Sequence, residues 1–174
     1  STHLFEGSAA ILDLADETGH QRWLPGLASG EALATFALAE VEAESDASGI
    51  TCAVGEETDG FSMHGRKTWL VAGALAGLVT VVARSGDEQL QDLGAYVVDP
   101  ESDGCSRDPM KDLLGLRGAG LCDLQLDGVR LDQREALLIK RTGSIDQSRE
   151  APNVPPPHLS KSTFLFNQSL DFGF

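Results

Sequence analysis

The side chains with the widest chemical repertoire are few and scattered. Cys52, Cys105 and Cys122 make an odd number, with no C-x-x-C pair and no histidine at ligand spacing. That pattern disfavours a disulfide framework or a zinc site and leaves small, reduced core residues. His3, His20, His64 and His158 form no metal or triad pattern. No G-x-S-x-G, H-E-x-x-H, Walker A or G-x-G-x-x-G segment occurs, so the commonest nucleophile, zinc-hydrolase and nucleotide-loop chemistries drop out. What remains is Ser45-Asp46-Ala47-Ser48-Gly49, Gly65-Arg66-Lys67, Trp69 and Arg117. By residue type the first is a polar turn. The second is a hairpin decoration or a small basic spot for a phosphate. Trp69 is a core aromatic of an alternating strand, and Arg117 a turn residue with a carboxylate partner.

The elements that must hold these residues change character along the chain. SAAILDLADET (8–18) predicts the end of a helix, stopped by Gly19. Pro25, Gly26 and Gly30 then punctuate a helix–turn–helix connection. From residue 34 the period shortens. ATFALAE, ITCAVGEE, GFSMHGRKTWLV, LVTVVARS, LGAYVVD and CDLQLDGVRL read as six short strands. Thr58-Asp59-Gly60, Ser85-Gly86-Asp87, Asp99-Pro100 and Asp127-Gly128 read as turns between them. Short connections without a long helix predict antiparallel pairing, hence a mainly β fold, an antiparallel barrel or sandwich behind a short helical segment. Residues 141–174 hold four of the seven prolines and four of the seven phenylalanines, so an irregular Pro-rich tail is expected there. Within it, STFLFNQSLDF is equally a last strand, a docking segment or an apolar tail.

Composition bounds the function. The chain has 174 residues, 41% of them hydrophobic, with 19 glycines, which suits an ordinary packed domain. Its net charge is −14, and residues 1–60 hold 12 acids against the single base Arg22. Such a surface repels a phosphate backbone, so nucleic acid is not expected as a partner. No apolar run approaches the ~18 residues of a membrane span, and the first residues lack a signal-peptide pattern. The expectation is a soluble, acidic, cytoplasmic protein.

Four stretches in order add a resemblance. FALAEVEAESDASGI (36–50), GFSMHGRKTWLVAGALAGLVTVVAR (60–84), LLGLRGAG (113–120) and LCDLQLDGVRL (121–131) resemble the middle β-domain of the acyl-CoA dehydrogenase family. The preceding GHQRWLPGLASGEALATFALAE is similar to that family's passage from its N-terminal helical domain, and the resemblance covers about residues 10–138. It implies three segments: 1–33 as the end of a helical domain, 34–140 as the middle β-domain, and 141–174 as a tail of unknown role.

The same resemblance implies an FAD-dependent oxidoreductase of fatty acid metabolism that forms an α,β double bond in an acyl-CoA thioester. The protein's task there is to orient the flavin and exclude water, because the cofactor does the hydride chemistry. By match to the family's motifs, the cofactor-binding residues are Phe36, Leu38, Ala39, Ser45, Trp69 and Val71, with Ser45 also near the acyl-CoA. Trp69 fits the tryptophan that packs on the flavin. Ala39 and Val71 replace two threonines whose hydroxyls bond the ring, Val41 replaces a proline and Glu44 a glycine. Glu42 and Glu44 bring two carboxylates toward an anionic cofactor and substrate, where like charges repel. No residue is assigned as the catalytic base, which most members carry in a C-terminal helical domain that no segment after Leu138 resembles. A truncated, weakly active or inactive member is therefore expected, homo- or hetero-oligomeric. The alternatives are a non-catalytic partner subunit, or a β-barrel binding module that has lost flavin binding.

Overall fold

Asp16 sets the start of the longer helix. In the computed structural model, which describes residues 6–43, 49–57, 60–85, 92–131 and 136–137, a first helix α1 spans Ser8–Leu14 and a second, α2, spans Glu17–Ser29. Asp16 is extended, and its carboxylate accepts from Gly19 N–H at 2.8 Å, as an N-cap should. The predicted stop at Gly19 is therefore wrong: the break falls at Ala15–Asp16, and α2 continues through Gly19 and Pro25. Proline costs α2 one backbone donor, but the buried stripe of Gly19, Trp23 and Leu27, spaced four apart, keeps the helix docked. The helix ends instead at Gly30, whose φ of 79° is the left-handed conformation glycine adopts without a Cβ penalty.

The strands are β1 (Ala34–Ala37), β2 (Ala53–Glu57), β3 (Gly60–Leu70), β4 (Leu78–Ser85), β5 (Asp92–Val98), β6 (Cys105–Pro109), β7 (Cys122–Leu131) and β8 (Ala136–Leu137). They form one eight-stranded sheet, ordered β6-β7-β3-β2-β4-β5-β8, with β1 also on β4. The mainly β expectation holds, and the purely antiparallel one needs correction. β2–β3, β3–β7, β4–β5, β5–β8 and β6–β7 are antiparallel, but β1 and β2 both run parallel to β4. β5 occupies one edge of β4 from Val79 to Ser85, so β1 (at Leu78–Val81) and β2 (at Arg84–Ser85) lie end to end along the other. Residues 38–52 join these two half-strands.

Burial explains the sequence pattern. On one face, Ile11, Trp23 and Leu27 pack with Ala34, Ala95 and Val97. On the other, Met63, Val79, Val81, Tyr96, Val98, Leu124 and Leu126 belong to the main core. β5 is thus covered on both faces, which is why it reads as a continuous apolar run rather than an alternation. Cys52 and Cys122 are buried in the main core, and Cys105 packs half-buried against it. Strand β6 is not signalled by alternation, because its outer residues are polar and its pairing with β7 is supplied by tertiary contact. Asp127-Gly128 is not a turn between strands but an irregularity within β7, where Gly128 (φ 69°) is the extra residue between the pairs Met63–Val129 and His64–Asp127. The chain divides into units Ser1–Ile139 and Lys140–Phe174, and every described residue belongs to the first. Residues 141–174 lie outside the described residues.

Candidate functional site

The site is built where the half-strands β1 and β2 part. Beyond Ala37 the chain runs beside β3: Thr68 N–H donates to Ala39 O at 2.9 Å, and Lys67 Nζ donates to Leu38 O at 3.1 Å. Lys67 is completely buried, 0% exposed. Its ammonium also donates to Glu40 Oε1 at 2.6 Å. Glu40 accepts three further bonds: from Cys52 N–H at 3.0 Å, and from Thr51 N–H and Thr51 Oγ1 at 2.7 Å each. One carboxylate therefore satisfies the amides entering β2, which the parting of the half-strands would leave without ladder partners. Burial by itself raises the Glu40 pKa, but the hydrogen bonds from Lys67 and Thr51 outweigh it and the net shift is downward. The neighbouring Cys52 thiol is pushed up to about 11, chiefly by burial, and stays neutral. Gly65 lets this layer close: its φ is 150°, and a Cβ there would lie 2.7 Å from Cys52 Cα.

Trp69 lies two residues beyond Lys67 and points the other way. Lys67 pairs with Leu124 and Leu70 with Cys122, so Thr68 and Trp69 together face Asp123 alone. This is a β-bulge, and Trp69 occupies it with a left-handed φ of 59°. The indole is 60% exposed, so its reading as a core aromatic is overturned. The bulge inverts the alternation that would have sent Trp69 inward. Leu38 and Val71 are also exposed, and so are Val41 and Leu75 in the adjoining turns. The carbonyl of Val71 accepts from Thr35 Oγ1 at 2.7 Å, which ties this segment to β1.

The third motif meets the second through the backbone. Ala72 N–H donates to Ala119 O at 2.8 Å and Ala74 N–H to Gly120 O at 3.0 Å, so the segment after Trp69 lies against Arg117–Ala119, a short 3-10 turn. Arg107 reaches the same segment, donating to Gly73 O and Ala76 O. Arg117 is a turn residue as expected, but its Nε donates to Leu113 O at 2.9 Å rather than to a carboxylate.

The sequence-derived residues thus divide. Leu38, Ala39, Trp69 and Val71 come together along the β1–β3 junction, whereas Phe36 is packed against the main core. Ser45, with Glu44 and Asp46, lies outside the described residues; Glu42 is exposed. Gly65-Arg66-Lys67 is not a phosphate spot, since Lys67 is buried on Glu40 and Arg66 bonds Asp123 at 2.6 Å. Sequence reasoning passed over Asp123, and it placed Lys67 in a surface basic pair rather than in a buried ion pair with Glu40. Lys67 had a signal, because it falls on the inward phase of β3 with Met63 and Gly65.

A model of the acyl-CoA dehydrogenase middle domain matches residues 35–129. The chain belongs to the acyl-CoA dehydrogenase family. It is 32% identical over 138 residues to a probable acyl-CoA dehydrogenase of Bacillus subtilis (strain 168), covering 78% of this chain and 23% of that protein. The fold is similar to an acyl-CoA dehydrogenase from Bacillus anthracis complexed with FAD, with 26% identity and a TM-score of 0.73, covering 79% of this chain and 23% of that one. A glutaryl-CoA dehydrogenase from Mycobacterium smegmatis in complex with FADH2 gives 27% identity and a TM-score of 0.71, over 76% and 33% of the two chains. The chain spans about a quarter of the Bacillus subtilis relative's length. FAD and acyl-CoA thioesters are the cofactor and substrates of the family. The family match does not favour a separate β-barrel binding module. No helix among the described residues is long and apolar enough to cross a membrane.

Proposed function

We propose that this chain carries the flavin-facing β-domain of an FAD-dependent acyl-CoA dehydrogenase, with residues 34–140 forming that domain and 1–33 the end of a helical one. The observation that carries the reading is Trp69: a bulky residue in left-handed backbone, exposed on the β1–β3 junction that also exposes Leu38 and Val71. Strained and solvent-facing aromatics persist where a ligand uses them. FAD, when bound, supplies the acceptor for the hydride that leaves the substrate's β-carbon.

The chain's own residues fit the apolar part of that task better than the polar part. Trp69, Leu38 and Val71 supply apolar side chains that would pack on an isoalloxazine ring and exclude water from it. Ala39 and Val71 offer no hydroxyl. The nearby hydroxyls do not replace them, since Thr35 donates to Val71 O and Thr68 to Asp123. Backbone amides remain as the donors to the ring edge. Glu40 is no candidate base, because it is buried and accepts four hydrogen bonds. The α-proton must go to a carboxylate elsewhere in the working protein, and this chain alone is weakly active or inactive. Ser45 is proposed to face the cofactor pyrophosphate and acyl-CoA, and the exposed Glu42 opposes both electrostatically.

Titration of the purified chain with FAD, followed by flavin fluorescence, tests the reading. The wild-type chain binds weakly, and Ala39→Thr or Val71→Thr each tightens binding roughly 2- to 10-fold, the equivalent of one net hydrogen bond of about 0.5–1.5 kcal/mol. Absence of binding in wild type and in the Ala39→Thr/Val71→Thr double variant would sink the proposal.

A further inference from the structure

The bulge that exposes Trp69 has one polar residue on its far side. Asp123 of β7 is the single partner opposite Thr68 and Trp69. Its Oδ1 accepts from Thr68 Oγ1 at 2.6 Å and its Oδ2 from Arg66 Nη2 at 2.6 Å. Two donors, from residues 66 and 68, therefore converge on one carboxylate, whose side chain is only 15% exposed. A regular ladder would have given Thr68 and Trp69 separate partners. The bulge leaves the extra residue without a ladder partner of its own, and the Asp123 side chain holds the Thr68 hydroxyl beside it.

The opposite side of the same stretch is held as firmly. Lys67 enters the interior and bonds Leu38 O and Glu40, so it cannot follow if β3 slides or rotates. These two anchors restrict how the chain can place residue 69. A left-handed φ is unfavourable for a tryptophan and persists only where surrounding contacts over-determine it. Asp123 is the contact that does so from outside the core. A carboxylate suits this because its two oxygens offer about four acceptor sites, whereas an asparagine presents one acceptor and turns an NH2 donor toward the Arg66 guanidinium.

We propose that Asp123 is the positioning residue of the Trp69 platform: it locks the Thr68–Trp69 bulge so that the indole faces the flavin ring. The inference rests on the flavin reading for its ligand, but the geometry it claims exists without FAD. Removing Asp123 lets residue 69 relax toward ordinary extended backbone and turns the indole away for part of the time. Apparent affinity for any ligand stacked on the indole falls by the fraction of molecules still aligned. An aligned fraction of one-tenth gives a roughly tenfold weaker Kd.

Two readouts separate the claims. The indole N–H cross-peaks of Trp23 and Trp69 in a 15N correlation spectrum of the FAD-free chain, assigned with Trp69→Phe, report orientation and fold independently. Asp123→Ala shifts or broadens the Trp69 peak and leaves the buried Trp23 peak in place; Asp123→Asn gives a smaller change in the same direction. FAD titration of the same proteins then shows affinity reduced roughly tenfold in Asp123→Ala and less in Asp123→Asn. Thr68→Val keeps the carboxylate and removes one donor. It covers the case in which Asp123→Ala does not fold, and it moves the Trp69 peak in the same sense. An unmoved Trp69 peak in folded Asp123→Ala and Thr68→Val overturns the proposal. So does a moved peak with FAD affinity unchanged. A moved Trp69 peak, with no FAD binding by either the wild type or the Ala39→Thr/Val71→Thr variant, supports the positioning role and overturns the flavin reading instead.

Discussion

Lys67 and Glu40 show how much one misplaced-looking charge can organise. A fully buried lysine is tolerable only when its partner and remaining protons are satisfied, and here Leu38 O and Glu40 accept them. Breaking the pair from one side is costly. Lys67→Met leaves the Glu40 carboxylate buried without its cation and is expected to lower unfolding free energy by about 3–5 kcal/mol, a large share of a domain's total. Glu40→Gln/Lys67→Met recovers part of that loss, as urea denaturation of the variants will show. Glu40 also has a pH signature. Its folded pKa is below its unfolded one, so its contribution is complete above the unfolded value and disappears as pH falls through the folded value. Wild-type stability therefore declines below about pH 4. Asp123, likewise held low by Thr68 and Arg66 against the opposing effect of burial, adds to the decline. Glu40→Gln shallows this acid limb without abolishing it.

At the scale of elements, α2 begins where a single side chain permits. Asp16 is extended, and its carboxylate caps Gly19 N–H, with Glu17 in the first turn on the favourable side of the helix dipole. Asp16→Ala is expected to cost about 1 kcal/mol, within a usual range of about 0.5–2, measured by thermal or chemical unfolding. A neutral result would mean that packing of Ile11, Trp23 and Leu27 on Ala95 and Val97 alone decides the helix start. The cap was legible in the sequence, since Asp16 precedes an apolar spacing of four. SAAILDLADET by itself misplaces the helix break, because the glycine that follows it has the look of a stop. Buried against Trp23, it serves packing instead.

Viewed whole, the described surface exposes Trp69 and seven large aliphatic side chains. Leu75, Leu114 and Leu116 are exposed on segments that meet near the 3-10 turn, and Trp69, Leu38 and Val71 follow along the β1–β3 junction. Contiguous exposed apolar surface drives association. The chain is expected to bind a hydrophobic dye such as ANS and to show concentration-dependent mass by light scattering. Leu114→Ser/Leu116→Ser reduces both while leaving the melting temperature within a few degrees, because neither side chain contributes to the core. Monomeric, dye-free wild type at high concentration would contradict this.

The sequence by itself determined the strand-rich middle, the positions of most strands, the acidic character and, through four ordered motifs, the family. Those features are written in local alternation, turn residues and short patterns, each carried by neighbours in the chain. Tertiary structure alone decided that β1 and β2 share one edge of β4 in parallel, that Lys67 and Glu40 meet in the interior, and that a bulge against Asp123 turns Trp69 outward. The reason is physical. Alternation says which residues share a face, but not which strand lies opposite or where one extra residue resets the register. Partner and register are fixed by contacts distant in sequence. Residue 69 is the clearest case: the same tryptophan is a core residue in a regular strand and a solvent-facing platform one bulge later.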